Sequence, residues 1–327
     1  MTTRRATLLA LGATLARPAM GAEPAYPSRP VRIVVPFPPG NLSDLIARVL
    51  AEEMQARHGV QVVVDNRAGA TGAIGIQAVT RSESDGHTLL LSSNSPLAVN
   101  PAITPNLPFD VTRDLVPASL IGWTSFLICV PPDFPARTLA EAVAWMRANP
   151  GKFIAANPGT GTAGHLMTEM FARLTGARME QLPYRGSAQA LLDLSQNRVQ
   201  FMIDAMSSSL PQVQGGRVKA LAVLQGRRSA LAPDIPAMPE ASVPEVAEFE
   251  SFGWAGLLAP AGTPAAATGY WTRTLNALLR DPGFVRRLAA QNVEAAPPGG
   301  AEKLAELLAG DLARWTRLAR EANISGS

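Results

Sequence analysis

Short runs rich in β-branched residues alternate with segments of helical periodicity along most of this chain. The first run is Val31–Val35, and after a loop Leu45, Ile46 and Val49 fall on one face of a helix. Strands that alternate with helices build parallel sheets covered by helices. The pattern therefore predicts an α/β fold. Further strands are predicted over residues 60–65, 88–91, 120–130, 153–156, 179–183, 199–203, 220–223 and 254–259.

Two segments predict that the chain passes twice between two lobes. Residues 120–130 form an unusually long apolar stretch for one strand, and a proline-rich segment, residues 233–244, leads to a return strand at 254–259. Between them, Thr138 to Glu141 form a capping box that begins a helix. We expect lobe 1 at residues 23–123 plus 253–327 and lobe 2 at 124–252, each a mostly parallel sheet flanked by helices and joined by two crossing strands.

The N-terminus is typical of an export signal. Arg4 and Arg5 precede an uncharged stretch, residues 6–16, and small residues at 19–22 offer a cleavage site near Ala22. The arginine pair is also compatible with the twin-arginine route. We therefore predict a signal peptide at residues 1–22 and a periplasmic location. The alternative is an amphipathic first helix of a cytosolic protein.

Export changes what the charge of the chain means. Removal of Arg4, Arg5 and Arg17 lowers the basic count from 29 to 26, equal to the 26 acidic residues. A neutral mature chain lacks the basic excess of nucleic-acid binding proteins. The single cysteine, Cys129, lies between apolar neighbours and is predicted to be a buried strand residue. The three histidines have no metal-site spacing, so no metal or cofactor is expected.

The loops after the predicted strands carry Gly, Ser, Thr and Asn rather than reactive groups. In open α/β sheets, ligands bind beyond the carboxyl ends of the strands. Three of these loops continue directly into helix N-termini, where free N–H groups favour an anion. The sequence therefore predicts a site for a small carboxylate and no catalysis. The loops are residues 36–44, 92–95, 157–165, 184–187 and 204–209.

A second class of function competes for one of these loops. Residues 159–164 spell G-x-G-x-x-G after a predicted strand, and Glu180 lies at a distance compatible with a ribose contact. This pattern favours an NAD-dependent dehydrogenase. Against it stand the export signal and Asn157-Pro158, which occupy the turn where the fingerprint needs a tight strand exit.

Several residues in these loops allow either a structural or a ligand-binding interpretation. Asp44, or Ser43, is expected to cap the first helix. Asp204 ends an apolar strand, where it either contacts a donor group on the ligand or caps the next segment of the chain. His165 and Tyr184, the latter with its neighbour Arg185, either line the cleft or make ordinary structural contacts.

The order of motifs along the chain resembles the extracytoplasmic receptors of tripartite tricarboxylate transporters, also called Bug receptors. The resemblance covers essentially the whole mature chain. The motifs that carry it are Tyr26-Pro27-Ser28-Arg29-Pro30, Val34-Val35-Pro36-Phe37-Pro38-Pro39-Gly40, Asp65-Asn66-Arg67-Ala68-Gly69-Ala70, Asp85-Gly86-His87-Thr88-Leu89-Leu90, Gly159-Thr160-Gly161-Thr162 with His165-Leu166, Pro183-Tyr184-Arg185-Gly186 and Ala259-Pro260-Ala261-Gly262-Thr263-Pro264. The chain departs from the family at Asn41, at Thr162 and at Gln181-Leu182, where the family usually has Gly, Ser and His-Val.

The resemblance implies a two-lobe fold like that of the type II periplasmic binding proteins. It also implies a monomeric receptor that passes a carboxylate or amino acid to a membrane permease. By the same resemblance, two loops would hold the proximal carboxylate, and a further group would select the rest of the ligand. The first loop is Phe37, Pro38, Pro39, Gly40, Asn41 and Ser43, the second is Thr160, Gly161 and Thr162, and the selecting group is Ser92, Ser93, Asn94 and Asp204. A solute-sensing adaptor for a signalling system is the remaining alternative.

Overall fold

The computed structural model describes residues 26–322, with side chains described to residue 320. The predicted signal peptide, residues 1–22, lies outside the described residues. Between residues 26 and 322 no helix is long and apolar enough to cross a membrane. Within the same range, no cluster of three or more His, Cys, Asp or Glu side chains is arranged to hold a metal ion.

Strands and helices alternate as the sequence pattern predicts. The strands are β1 (Val31–Val35), β2 (Val62–Asn66), β3 (Thr88–Ser93), β4 (Leu115–Val130), β5 (Phe153–Asn157), β6 (Met179–Pro183), β7 (Phe201–Ala205), β8 (Lys219–Val223), β9 (Phe252–Pro260) and β10 (Glu294–Ala295). The helices are α1 (Leu42–His58), α2 (Ala73–Thr80), α3 (Asn100–Ile103), α4 (Leu139–Ala148), α5 (Ala163–Thr175), α6 (Ser187–Ser195), α7 (Met206–Gln214), α8 (Ala265–Arg280), α9 (Pro282–Ala289) and α10 (Gly300–Ala322). Short helical turns lie at Ala70–Gly72, Ser95–Val99, Met238–Ala241 and Pro244–Val246.

The long strand β4 belongs to both lobes of the molecule. The strand order is β2-β1-β3-β9-β4-β7-β5-β6, and β8 and β10 also pair with β4. From Leu115 to Ser125, β4 pairs with β9, and from Phe126 onward it pairs with β7 and β8. We use lobe 1 for the part built on β1, β2, β3, β9 and β10, and lobe 2 for the part built on β5 to β8. The fold is therefore a two-lobe α/β fold.

The two crossing segments run side by side between the lobes. Thr124 pairs with Gly253 and Ser125 with Phe252, so β4 and β9 cross next to each other in antiparallel register. The outer strands are parallel, β1 with β2 and β3, and β5 with β6 and β7, while every ladder formed by β4 and β9 is antiparallel. Within each lobe, the strands that end at the site are thus parallel to one another. Antiparallel pairing joins β3 and β7 to the two crossing strands.

Apolar residues form one core that continues through both lobes and further clusters beside it. The largest cluster joins Leu90 and Trp254 of lobe 1 to Phe153 and Phe201 of lobe 2. Cys129 is a free, fully buried thiol on β4, as predicted. Truncation of a buried aromatic residue such as Trp254 would cost about 3–5 kcal/mol. Both walls of the cleft are therefore built on packed, well-supported strands.

Candidate functional site

A cavity lies between the lobes, beyond the carboxyl ends of β1, β3, β5 and β7. Its empty space is about 760 Å³, part of which is continuous with solvent. Nine residues predicted for the site line it, namely Phe37, Pro38, Pro39, Gly40, Asn41, Ser93, Asn94, Thr162 and Asp204. The loops predicted from sequence thus meet at one place, although they are far apart along the chain.

On the lobe 1 side, the loop before α1 is fixed by its own polar side chains. Asn41 is the N-cap of α1, and its Oδ1 accepts a hydrogen bond from the amide of Asp44 at 2.9 Å. The prediction that Ser43 or Asp44 caps this helix is therefore wrong by two or three residues. Asn41 satisfies an orphan amide at the helix end, as a capping side chain does. This contact ties Asn41 to the helix while it lines the cavity.

Asp44 supports the same loop from behind. Its side chain is 1% exposed. It accepts hydrogen bonds from the Gly40 amide at 2.9 Å, from Arg48 at 3.0 Å and from Asn66 at 3.0 Å. Burial raises the pKa of Asp44, but the hydrogen bonds from Arg48, Gly40 and Asn66 outweigh it, and the net pKa is lowered. Asp44 is thus a structural anion that fixes the loop at residues 37–41.

On the lobe 2 side, α5 begins at the Gly-Thr loop with its own cap. The Thr162 hydroxyl accepts a hydrogen bond from the His165 amide at 3.3 Å and donates one to the Gly159 carbonyl at 2.7 Å. The next amide, that of Ala163, donates to Ser95 Oγ of lobe 1 at 3.0 Å. The start of α5 is therefore used to join the two lobes.

The internal contacts of this loop do not suit a dinucleotide. The Gly159 amide donates to Asn157 Oδ1, the Gly161 amide to His165 Nδ1, and the Thr162 amide to the Gly159 carbonyl. A pyrophosphate-binding loop needs such amides free to point at the phosphate. The G-x-G-x-x-G pattern at residues 159–164 is thus engaged in closing the loop on itself and on lobe 1.

Helices α6 and α7 begin at the cavity without a capping side chain. Their N-cap residues are Gly186 and Ala205, neither of which caps the helix through its side chain. Gly186, Ser187 and Ala188 of the first helix start line the cavity, as do Ala205 and Ser208 of the second. The first N–H groups of a helix have no partner within it and carry the positive end of the dipole. The start of α6 is therefore available to an anion, whereas at the start of α7 the Ser207 amide already donates to Thr124 Oγ1 at 3.1 Å.

Asp204 lies beside these uncapped helix starts. It is 1% exposed, and its Oδ1 accepts a hydrogen bond from Ser187 Oγ at 2.7 Å. Its Oδ2 is buried and has no hydrogen-bond partner among the described residues. Burial raises the pKa of Asp204 to about 7, against smaller lowering effects of Ser187 and the Ala205 backbone. Of the two interpretations offered by the sequence, helix capping is wrong, since Ala205 holds the N-cap position of α7.

The lobes touch across the cavity entrance. Thr71 Oγ1 donates a hydrogen bond to the Thr160 carbonyl at 2.6 Å, and Pro38 packs near Gly186. Thr71 lies in a run of residues with positive φ, at Gly69 (131°), Ala70 (47°), Thr71 (51°) and Gly72 (92°). A β-branched residue in this region is uncommon and strained. The structure is that of a closed cleft, with a strained turn at its edge.

Six residues predicted for the site lie outside the cavity lining: Ser43, Ser92, Thr160, Gly161, His165 and Tyr184. Ser43 and Ser92 are fully buried behind the lining residues. Thr160 offers its carbonyl to Thr71, and His165 accepts from Gly161. The Tyr184 hydroxyl donates a hydrogen bond to Asp193 Oδ2 at 2.8 Å. These residues support the walls of the site.

Other lining residues are not among those predicted from the sequence: Leu42, Ser95, Thr124, Phe126, Pro158, Gly164, Gly186, Ser187, Ala188, Ala205, Ser208 and Gly253. Those at helix starts lie in or next to the predicted loops, and the preference of anions for uncapped helix ends could have identified them. Arg185, the neighbour of Tyr184, reaches the lining and is exposed. Thr124, Phe126 and Gly253 lie on the crossing strands, where no local pattern marks them.

Comparison with known proteins identifies relatives over nearly the full described chain. A family model described as "Tripartite tricarboxylate transporter family receptor" matches residues 46–324. The chain is 38% identical over 300 residues to Protein BugT of Bordetella pertussis, covering 90% of both sequences.

Solved structures show the same fold at similar identity. The periplasmic binding protein BugD superposes with a TM-score of 0.86 at 32% identity, over 92% of this chain and 100% of that one. An R. palustris protein solved with adipate superposes with a TM-score of 0.87 at 29% identity, over 92% of this chain and 99% of the other.

Proposed function

Because this chain belongs to the tripartite tricarboxylate transporter receptor family and is therefore a solute-binding receptor, we propose that it closes its lobes around a small carboxylate. It then delivers this carboxylate to the permease of a tripartite transporter. The observation that carries the ligand class is the convergence of helix N-termini on one interlobe cavity, of which the start of α6 has no capping side chain. The adipate bound to a relative of the same fold supports the same class of ligand.

The affinity is expected to come mainly from closure. A helix N-terminus contributes about 0.3–1 kcal/mol toward an anion at an exposed site. Micromolar binding requires about 8 kcal/mol. The difference is supplied by the exclusion of water, which strengthens each hydrogen bond, and by apolar contact with residues such as Phe37 and Phe126. Micromolar affinity therefore requires the cleft of this receptor to close.

The finer features of the receptor are part of the same proposal. We place lobe 1 at residues 23–123 plus 253–327 and lobe 2 at 124–252, after a signal peptide at 1–22 that directs the protein to the periplasm. The mature protein acts as a monomer and catalyses no reaction.

A thermal-shift screen of the mature protein tests the proposal. Native mass spectrometry first shows whether a ligand is carried from the expression host. The apo protein is then melted with dicarboxylates, tricarboxylates, aromatic acids and amino acids, and hits are measured by calorimetry. A ligand present at about 100 times its Kd should add about 2.7 kcal/mol of stability. If no anionic metabolite raises the melting temperature, the receptor has a different class of ligand.

A further inference from the structure

The cavity holds a buried carboxyl group in a site otherwise suited to anions. Asp204 lines the cavity, and its Oδ2 is buried without a hydrogen-bond partner among the described residues. Ser208 also lines the cavity, and its Oγ is in the same condition. Buried polar atoms in native proteins nearly always have partners. A pair of such atoms on one cavity wall therefore marks a place where the ligand completes the hydrogen bonding.

No charged neighbour compensates Asp204. Its strand, β7, packs against β4, β5, α5, α6 and α7. From β4 it meets the Cys129 thiol, whose pKa is raised by burial and which is therefore neutral. From α6 it receives the Ser187 hydroxyl, while β5 carries no titratable residue.

The remaining titratable groups near this wall are also without effect on Asp204. From α5, His165 and Glu169 face each other and Gln181, and α7 carries no charged residue. Arg185 reaches the cavity from the loop before α6 but is exposed. The pKa of Asp204 accordingly depends on burial, Ser187 and the Ala205 backbone.

A carboxylate ligand makes the ionised form of Asp204 still less favourable. Two carboxylates in one closed, water-poor site cannot both remain charged at low cost, and one of them takes up a proton. The helix starts favour the charge of the ligand, whereas Asp204 has no cation to favour its own. When Asp204 is neutral, its Oδ1 still accepts from Ser187, and Oδ2–H becomes a donor in the cavity wall without an acceptor among the described residues.

We propose that Asp204 binds the ligand as a neutral carboxylic acid and donates Oδ2–H to an acceptor oxygen at the distal end of the ligand. The receptor then selects dicarboxylates over monocarboxylates of the same length and takes up one proton from solvent as it closes. This inference rests on the proposed function. It goes beyond it by naming the second functional group of the ligand and the protonation state of the site.

Adipate and hexanoate form a matched pair of probes, because they differ only in the distal carboxylate. Both are mainly ionised at pH 6 and almost fully ionised at pH 7 and above, so most of a change in affinity between pH 6 and pH 8 belongs to the protein. For the wild type we expect adipate to bind at least tenfold more tightly than hexanoate at pH 6. The adipate Kd should rise about tenfold by pH 8, as the proton becomes harder to supply. Hexanoate also brings a carboxylate into the closed site, so its Kd should rise with pH as well, and the contribution of the distal group is given by the ratio of the two affinities at pH 6.

The variant Asp204→Asn fixes a neutral donor at this position. It should bind adipate within threefold of the wild type at pH 6 and lose the pH dependence. Asp234→Asn is the matched control, since Asp234 lies in the same lobe, is exposed and does not line the cavity. This control should keep the wild-type pH dependence.

A measurement on the wild type alone protects the test against a variant that does not fold. Calorimetry of adipate binding in two buffers of different ionisation enthalpy reports the protons taken up. Uptake should rise from near zero at pH 6 to near one at pH 8. Proton release, tighter adipate binding at higher pH, or a tenfold weaker Asp204→Asn at pH 6 would each contradict the binding of Asp204 as a neutral donor. Binding of monocarboxylates alone would also overturn the inference, whereas the absence of any carboxylate binding would overturn the proposed function itself.

Discussion

The two walls of the cavity each contain a buried aspartate beside a helix start, and the two behave in opposite ways. Asp44 in lobe 1 and Asp204 in lobe 2 are each 1% exposed. Asp44 accepts from a backbone amide, an amide side chain and an arginine, and its pKa is lowered. Asp204 has one unpaired oxygen, and its pKa is raised to about 7. Equal burial therefore does not decide whether a carboxyl group is ionised. The number of hydrogen-bond donors around it does.

The two walls also differ in how far their own residues satisfy their hydrogen-bonding groups. The lobe 1 wall is complete in itself, since Asn41 caps α1 and Asp44 holds the preceding loop. The lobe 2 wall leaves the start of α6 uncapped and one oxygen of Asp204 without a partner, while α7 depends on Thr124 of the crossing strand for an acceptor. A carboxylate can thus arrive at a preformed lobe 1 surface and complete the hydrogen bonding of lobe 2. This division suits a receptor that closes around its ligand.

The largest effect is expected from Asp44→Ala. The change leaves the Gly40 amide and the Arg48 guanidinium without their acceptor, so the unfolding free energy should fall by about 3 kcal/mol at pH 7. Because the folded pKa of Asp44 is lowered, this contribution is present above the unfolded value of 3.8 and is lost as the pH falls through the folded value. Urea denaturation at pH 7 and below pH 4 measures both. Glu52→Ala, an exposed change on the same helix, is the control and should cost under about 1 kcal/mol; equal losses for both variants would contradict the structural role of Asp44.

Asp204→Asn should instead stabilise the unliganded protein at high pH. The folded pKa is raised from 3.8 to about 7, so ionisation penalises the folded state increasingly between these values. At about 1.4 kcal/mol per pKa unit the full penalty is about 4 kcal/mol. The introduced asparagine buries an amide without an acceptor, which costs about 1–3 kcal/mol and offsets part of this gain. We expect a net gain of about 1–3 kcal/mol at pH 8 and none at pH 4, measured by thermal unfolding at both values. A gain that is independent of pH would show that Asp204 is not buried as an acid.

Thr71→Val tests the contact across the cleft entrance. The variant keeps the β-branched shape but removes the hydrogen bond to the Thr160 carbonyl. The closed state should lose about 1 kcal/mol, which weakens ligand binding about fivefold without a change in the unfolding free energy of the unliganded protein. Thr71→Ser retains the hydroxyl and should bind like the wild type. Calorimetry with the tightest ligand of the screen compares all three, and equal affinities would show that this contact does not contribute to closure.

Ser95→Ala tests the other interlobe contact and should have the smallest effect. The Ala163 amide loses its acceptor in lobe 1, at a helix end where water or the ligand can replace it. We expect about 0.5 kcal/mol, or a two- to threefold weaker affinity, from the same calorimetric titration. A tenfold loss would mean that Ser95 also contacts the ligand.

Local patterns predict the elements well and the site in outline. β1 and β6 begin and end at the predicted residues, and the Thr138 capping box begins α4 as expected. The loops that meet at the cavity can be identified because strand ends and helix starts leave a mark in a short stretch of residues. β4 begins earlier, at Leu115, because pairing with β9 extends it beyond its apolar run.

The individual roles in the site depend on contacts between distant residues. The sequence places Asn41 beside a carboxylate, but its Oδ1 is engaged by the Asp44 amide. Tyr184 lies in the predicted loop, yet its hydroxyl is taken by Asp193. Thr124 and Gly253 reach the cavity only because their strands are in register at the crossing point. Such registers are set by the packing of the whole sheet, and no stretch of sequence near either residue reveals them.

The crossing strands β4 and β9 also form part of the cavity lining. Thr124, Phe126 and Gly253 line the cavity at the very place where β4 and β9 pass together from lobe to lobe. Thr124 also accepts a hydrogen bond from the Ser207 amide at the start of α7. The floor of the pocket and the axis about which the lobes would swing are thus the same few residues. A ligand bound there would contact the hinge residues directly. The liganded and unliganded receptors would therefore differ in the flexibility of the hinge as well as in shape.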